Sequence, residues 1–86
     1  MPTICSFRGI KIYMNWNEHN PPHFHARYGG NEVSILINEI EVYAGSFPNK
    51  QLKMLLGWTA LHQDELLENW NLAELGEDFF DVEPLK

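Results

Sequence analysis

The chain changes its hydrophobic period once. As far as residue 45 apolar side chains recur at every second position, and beyond Pro48 they recur every third or fourth, which predicts strands followed by helices. Ile10, Ile12, Met14 and Trp16 fall on one side of an alternating segment, with Lys11, Tyr13 and Asn15 on the other. Thr3 to Phe7 is a shorter run of strand formers, and the Arg8-Gly9 between the two suits a tight hairpin, because glycine accepts positive φ. His23, His25 and Arg27 alternate with Phe24, Ala26 and Tyr28, so a strand here buries the aromatic side and turns both imidazoles toward solvent. Gly29-Gly30 marks a turn, Val33, Ile35 and Ile37 a strand, Asn38-Glu39 another turn, and Ile40, Val42 and Ala44 a last strand ending at Gly45-Ser46. Connections this short make an antiparallel meander of four to five strands the simplest topology.

Pro48 suits a first helical turn, with Ser46 or Phe47 as its cap. Leu52, Leu55, Leu56 and Thr59 form one helical stripe, and Leu66, Leu67, Trp70 and Ala73 another in phase with it. Either one bent helix or two helices satisfy that pattern, with the break near His62 to Asp64 and His62 or Asp64 as the second cap. Leu75-Gly76 ends the helical part. The predicted fold is therefore α+β in a single domain over 1–86: a sheet over about 3–45, helices over 48–75 and an acidic tail over 77–86. The helices should cover the side of the sheet carrying Ile10, Ile12, Met14, Phe24, Ala26, Val33, Ile35 and Val42. Phe79, Phe80, Val82 and Leu85 should dock some of the otherwise loose tail.

Composition narrows the function classes. Six lysines and arginines face twelve acids, for a net charge of −6, and the imbalance is local. Residues 1–53 net +1 and residues 54–86 net −7. Affinity for a phosphate backbone comes mainly from lysine and arginine, so direct nucleic-acid binding is disfavoured and a basic protein partner suits the acidic half better. The lone Cys5 cannot form an internal disulfide and reads as a small core residue. No 18-residue apolar run is present, so the expectation is a cytoplasmic chain with no membrane segment.

Three of four histidines fall within Glu18-His19-Asn20-Pro21-Pro22-His23-Phe24-His25. His23 and His25, at i and i+2 on a strand, share a face with Cα atoms about 6.6 Å apart, a span that two imidazoles can close around one divalent transition metal. His19 lies about 12 Å from His23 if the prolines run as polyproline, a distance that a cis bond before Pro21 or Pro22 would shorten. The third ligand is open among Glu18, His19, Glu41 and His62. Without a metal, the same imidazoles would simply hydrogen-bond their neighbours. Beside Tyr13 and Arg27 they would also suit acid–base work, although no nucleophile accompanies them. Trp58, His62 and Trp70 read as packing groups. Leu36 and Tyr43, on the outward side of the sheet near Tyr13, form a candidate partner-binding patch.

The strings Met-Pro-Thr-Ile at the start, Glu-His-Asn-Pro-Pro-His-Phe-His-Ala over 18–26, Tyr-Gly-Gly over 28–30 and Trp-Thr-Ala-Leu-His-Gln-Asp-Glu-Leu-Leu-Glu-Asn-Trp over 58–70 resemble a family of short bacterial and archaeal proteins classed as a domain of unknown function. The resemblance spans almost the whole chain. It implies a component of a toxin–antitoxin-like pair, encoded beside another small protein, with His19, His23 and His25 as the positions to test. Arg27 departs from the acidic residue expected there. The first functional expectation is a protein-interaction domain that binds a small partner from an adjacent gene. The alternative is a histidine-based or metal-dependent hydrolase, such as an RNase-type toxin, using His19, His23 and His25. A homodimer is left open.

Overall fold

A computed structural model describes residues 2–85; Met1 and Lys86, and with them the ends of the starting motif and of the acidic tail, lie outside the described residues. Five strands, β1 (Thr3–Phe7), β2 (Ile10–Tyr13), β3 (His23–Tyr28), β4 (Asn31–Leu36) and β5 (Glu41–Gly45), are followed by α1 (Asn49–Leu61) and α2 (Gln63–Glu74). The strands form one antiparallel sheet in sequence order, an α+β arrangement. Arg8 and Gly9 both take positive φ between paired Phe7 and Ile10, as a two-residue turn whose twist matches the strands demands.

One side of the sheet and the two helices enclose the core. Ile10, Ile12, Met14, Phe24, Ala26, Val33 and Ile35 are all buried against Leu55, Trp58, Leu66 and Trp70. The Trp58 ring sits 5.6 Å from Phe7 and 5.9 Å from Phe24, contributing a large apolar area to the layer contact. Cys5 is buried in the same cluster.

Several expectations change. Val42 is 41% exposed rather than core. It stands opposite buried Ile35, on the core side, but at the open edge of the sheet. The turn before it spans Ile37 to Ile40 rather than Asn38-Glu39 alone, and the slip between Ser34 and Ile35 carries Ala44 to the Ser34 side, so the simple alternation does not run through β5. Trp16, expected in line with Met14, lies past the end of β2; it stacks on Phe79 at 5.0 Å and donates its indole N–H to the Glu77 carbonyl. The cap of α1 is Pro48, whose carbonyl accepts from Leu52 N, rather than Ser46 or Phe47. His62 separates the helices, yet its side chain pairs with the Glu65 carboxylate at 2.7 Å and caps no backbone N–H.

The tail is docked along much of its length. Val82 N donates to the Ile4 carbonyl, Trp58 Nε1 donates to the Glu83 carbonyl, and Val82 is buried. Asn69, fully buried on α2, grips Phe80 twice: its Nδ2 donates to the Phe80 carbonyl and its Oδ1 accepts from Phe80 N. Those two bonds satisfy backbone groups that would otherwise be costly to bury.

Candidate functional site

The connection from β2 to β3 folds back on the outward side of the sheet. Asn17 takes positive φ there, a conformation that asparagine tolerates, and the Asn20–Pro21 peptide is cis. Glu18 projects from this loop onto β3, where its Oε1 lies 2.6 Å from His25 Nε2 and its Oε2 lies 3.1 Å from His23 Nε2. Asn15 Nδ2 donates to the same Oε1 at 3.2 Å. Burial pushes the Glu18 carboxyl upward, but the hydrogen bonds and charge of His25 and His23 outweigh it and hold the group below its ordinary value.

Each imidazole is gripped at both nitrogens. His23 Nδ1 donates at 2.8 Å to the Pro21 carbonyl, which can only accept, so this nitrogen carries the proton. His25 Nδ1 lies 3.1 Å from the Ser34 hydroxyl, contributed by its cross-strand partner on β4. Packing completes the orientation: the Tyr13 ring stacks on His25 at 5.2 Å and 17°, and His23 is enclosed by Tyr43 and Trp70 at 5.4 and 5.3 Å. Both Nε2 atoms therefore converge on one carboxylate, and the three ligand atoms lie within 4.8 Å of one another.

The other positions separate from this cluster. His19 is exposed, Glu41 stands on the exposed β5, and His62 is at the helix junction with Glu65, so among the described residues Glu18 alone of the four candidates joins His23 and His25. The imidazoles are less open than expected, since His23 is 6% exposed. Tyr13 is buried rather than part of an exposed patch; burial, then the neighbouring Glu32 carboxylate, pushes its phenol above the ordinary value, so it is no base near neutral pH. Arg27 pairs with Glu32 at 2.8 Å and lies over the Tyr13 ring. Leu36 is half-buried opposite His23, whereas Tyr43 is 51% exposed. Burial likewise raises the Cys5 thiol, which argues against a nucleophilic role.

Ser34, Asn15 and the Pro21 carbonyl escaped the sequence reading. Ser34 had a signal, because a Gly29-Gly30 hairpin places it opposite His25; the other two depend on the path of the loop.

Residues 9–71 match the family model of a domain of unknown function, DUF4160. The chain belongs to this family. The matched span takes in the whole site, from Tyr13 to Tyr43, and both helices as far as Asn71, while β1 and the docked tail fall outside it. No significant match was found among curated proteins or among solved structures.

Proposed function

We propose that this DUF4160 chain is a cytoplasmic protein-interaction domain, half of a toxin–antitoxin-like pair, that binds a small basic partner protein along β5. The observation that carries this reading is the contrast between sheet edges: the chain's own tail covers β1, whereas all five β5 residues are exposed on the other edge. An open edge offers unpaired backbone groups to an added strand, and Val42 and Tyr43 add apolar contact. Glu39 and Glu41 at the start of that edge, with the acidic helical half, favour a partner strand rich in lysine or arginine. The test is calorimetric titration of the small protein encoded next to this one. Val42→Lys, Tyr43→Ala and Leu36→Ala should each weaken binding while leaving the fold intact, and unchanged affinity in all three would reject this surface.

A second reading, metal-dependent or histidine-based hydrolysis of RNA, is favoured by the convergence of Glu18, His23 and His25. It predicts cleavage of a single-stranded RNA that depends on His25; absence of cleavage with and without added Zn²⁺ would eliminate it.

A further inference from the structure

We propose that Glu18, His23 and His25 bind one divalent transition-metal ion, best represented by Zn²⁺, through both Nε2 atoms and one carboxylate oxygen, with the remaining positions open to water or a ligand. This inference is independent of partner docking and of RNA cleavage. It starts from a proton count. The Pro21 carbonyl commits His23 Nδ1 as a donor, so in the neutral ring the Nε2 lone pair points at the Glu18 carboxylate 3.1 Å away. Two lone pairs facing one another across that gap require a cation between them, either a proton or a metal ion.

The geometry accommodates the metal. Zn²⁺ binds imidazole nitrogen and carboxylate oxygen at about 2.0–2.2 Å, which spaces neighbouring tetrahedral ligand atoms by about 3.3 Å. Here His25 Nε2 stands 2.6 Å from one Glu18 oxygen and His23 Nε2 3.1 Å from the other, with the ligand atoms within 4.8 Å of one another. Side-chain rotations that draw back the carboxylate and bring one of its oxygens and the two nitrogens to that spacing therefore admit the ion. Glu18 is the member able to move, because it sits on the loop and its side chain is the most exposed of the three. The outer partners are already in place. Pro21 and Ser34 hold the two Nδ1 atoms, the arrangement that orients metal-bound imidazoles, and Asn15 holds the carboxylate. Two imidazoles with a single carboxylate select zinc-like ions over Mg²⁺ or Ca²⁺, which prefer all-oxygen shells.

The experiment is calorimetric titration of Zn²⁺ into chelator-stripped, untagged full-length protein, with Mg²⁺ in parallel and circular dichroism to verify the fold of each variant. The expected result is one Zn²⁺ per chain, no Mg²⁺ binding, and a higher thermal midpoint in the loaded protein. Ser34→Ala should weaken binding roughly 10–100-fold, as loss of an outer partner does, and Glu18→Gln and His25→Asn by more than that. His19→Asn and His62→Asn should leave it unchanged. The visible spectrum of the Co²⁺-loaded protein should show the intense bands of tetrahedral coordination and lose them in His25→Asn. No Zn²⁺ binding, or Zn²⁺ binding that survives in Glu18→Gln and His25→Asn or disappears in His62→Asn, would overturn the assignment.

Discussion

The two edges of the sheet are managed in opposite ways. At β1 the C-terminal segment supplies Val82 N to the Ile4 carbonyl, buries the Val82 side chain and is pinned by Asn69 and Trp58. At β5 no segment among the described residues plays that part, and the strand carries Val42 and Tyr43 in the open. An uncovered edge is a template for association, so natural domains shield it, blunt it or use it. This chain shields one and leaves the other exposed. The acidic tail is thus part of the fold, held by its apolar side chains and by Asn69 and Trp58.

Removing residues 77–86 should therefore have the largest effect, because it exposes the second edge and uncovers Trp58 and Asn69. Analytical ultracentrifugation should show self-association, and urea unfolding a greater loss of stability than any single substitution described here. Asn69→Ala comes next: losing both bonds to the Phe80 backbone should cost roughly 2–4 kcal/mol, read as a lower urea midpoint with an unchanged slope. Stability within error of the unaltered chain would mean that the tail is not held there.

On the open side, Gly45→Ala disturbs β5. Gly45 has φ +80°, and a Cβ there would collide with the Glu32 carbonyl oxygen, so β5 must shift at a cost of about 1–3 kcal/mol. Amide exchange should accelerate in β4 and β5 and stay unchanged in β1. By contrast, Tyr43→Ala should alter stability by less than about 1 kcal/mol, since the side chain is half in water. A larger loss would show that Tyr43 belongs to the core through His23 and not to a docking edge.

The smallest effect concerns the site between the edges. Glu18 titrates below its ordinary 4.5 in the folded chain, so its stabilising contribution is present above that pH and disappears as the pH falls through the lower folded value. Glu18→Gln should flatten this part of the acid-unfolding curve without changing the exchange protection of either edge. An identical acid limb in both proteins would show that the carboxylate is not held by His23 and His25.

Much of this was legible in the residues. Gly9 and Gly29 lie in the two turns their positions announce, because only a few residues accept positive φ without strain. The period change after Pro48 is answered by two helices that part at His62, within the span where the stripe allows a break. His23 and His25 share one side of β3 because side chains alternate along any strand. Less legible was β5: Ile40 just before it takes positive φ, a slipped register puts Ala44 opposite Ser34 rather than in line with Val42, and Val42, opposite Ile35, is left exposed at the sheet edge. A bulge depends on how two strands finally pair, which local preference does not encode.

The order and type of the elements, the α+β layering and the pairing of two imidazoles on one strand face are written in local patterns of residues, since each follows from backbone periodicity or steric limits at glycine and proline. That Glu18, rather than His19, Glu41 or His62, closes onto those imidazoles, that Asn69 seizes Phe80, and that one sheet edge is covered while the other is open came from the folded chain. Those outcomes depend on where loops and tail come to rest against distant surfaces, a matter of long-range packing and of satisfying buried polar groups that no short window of residues contains.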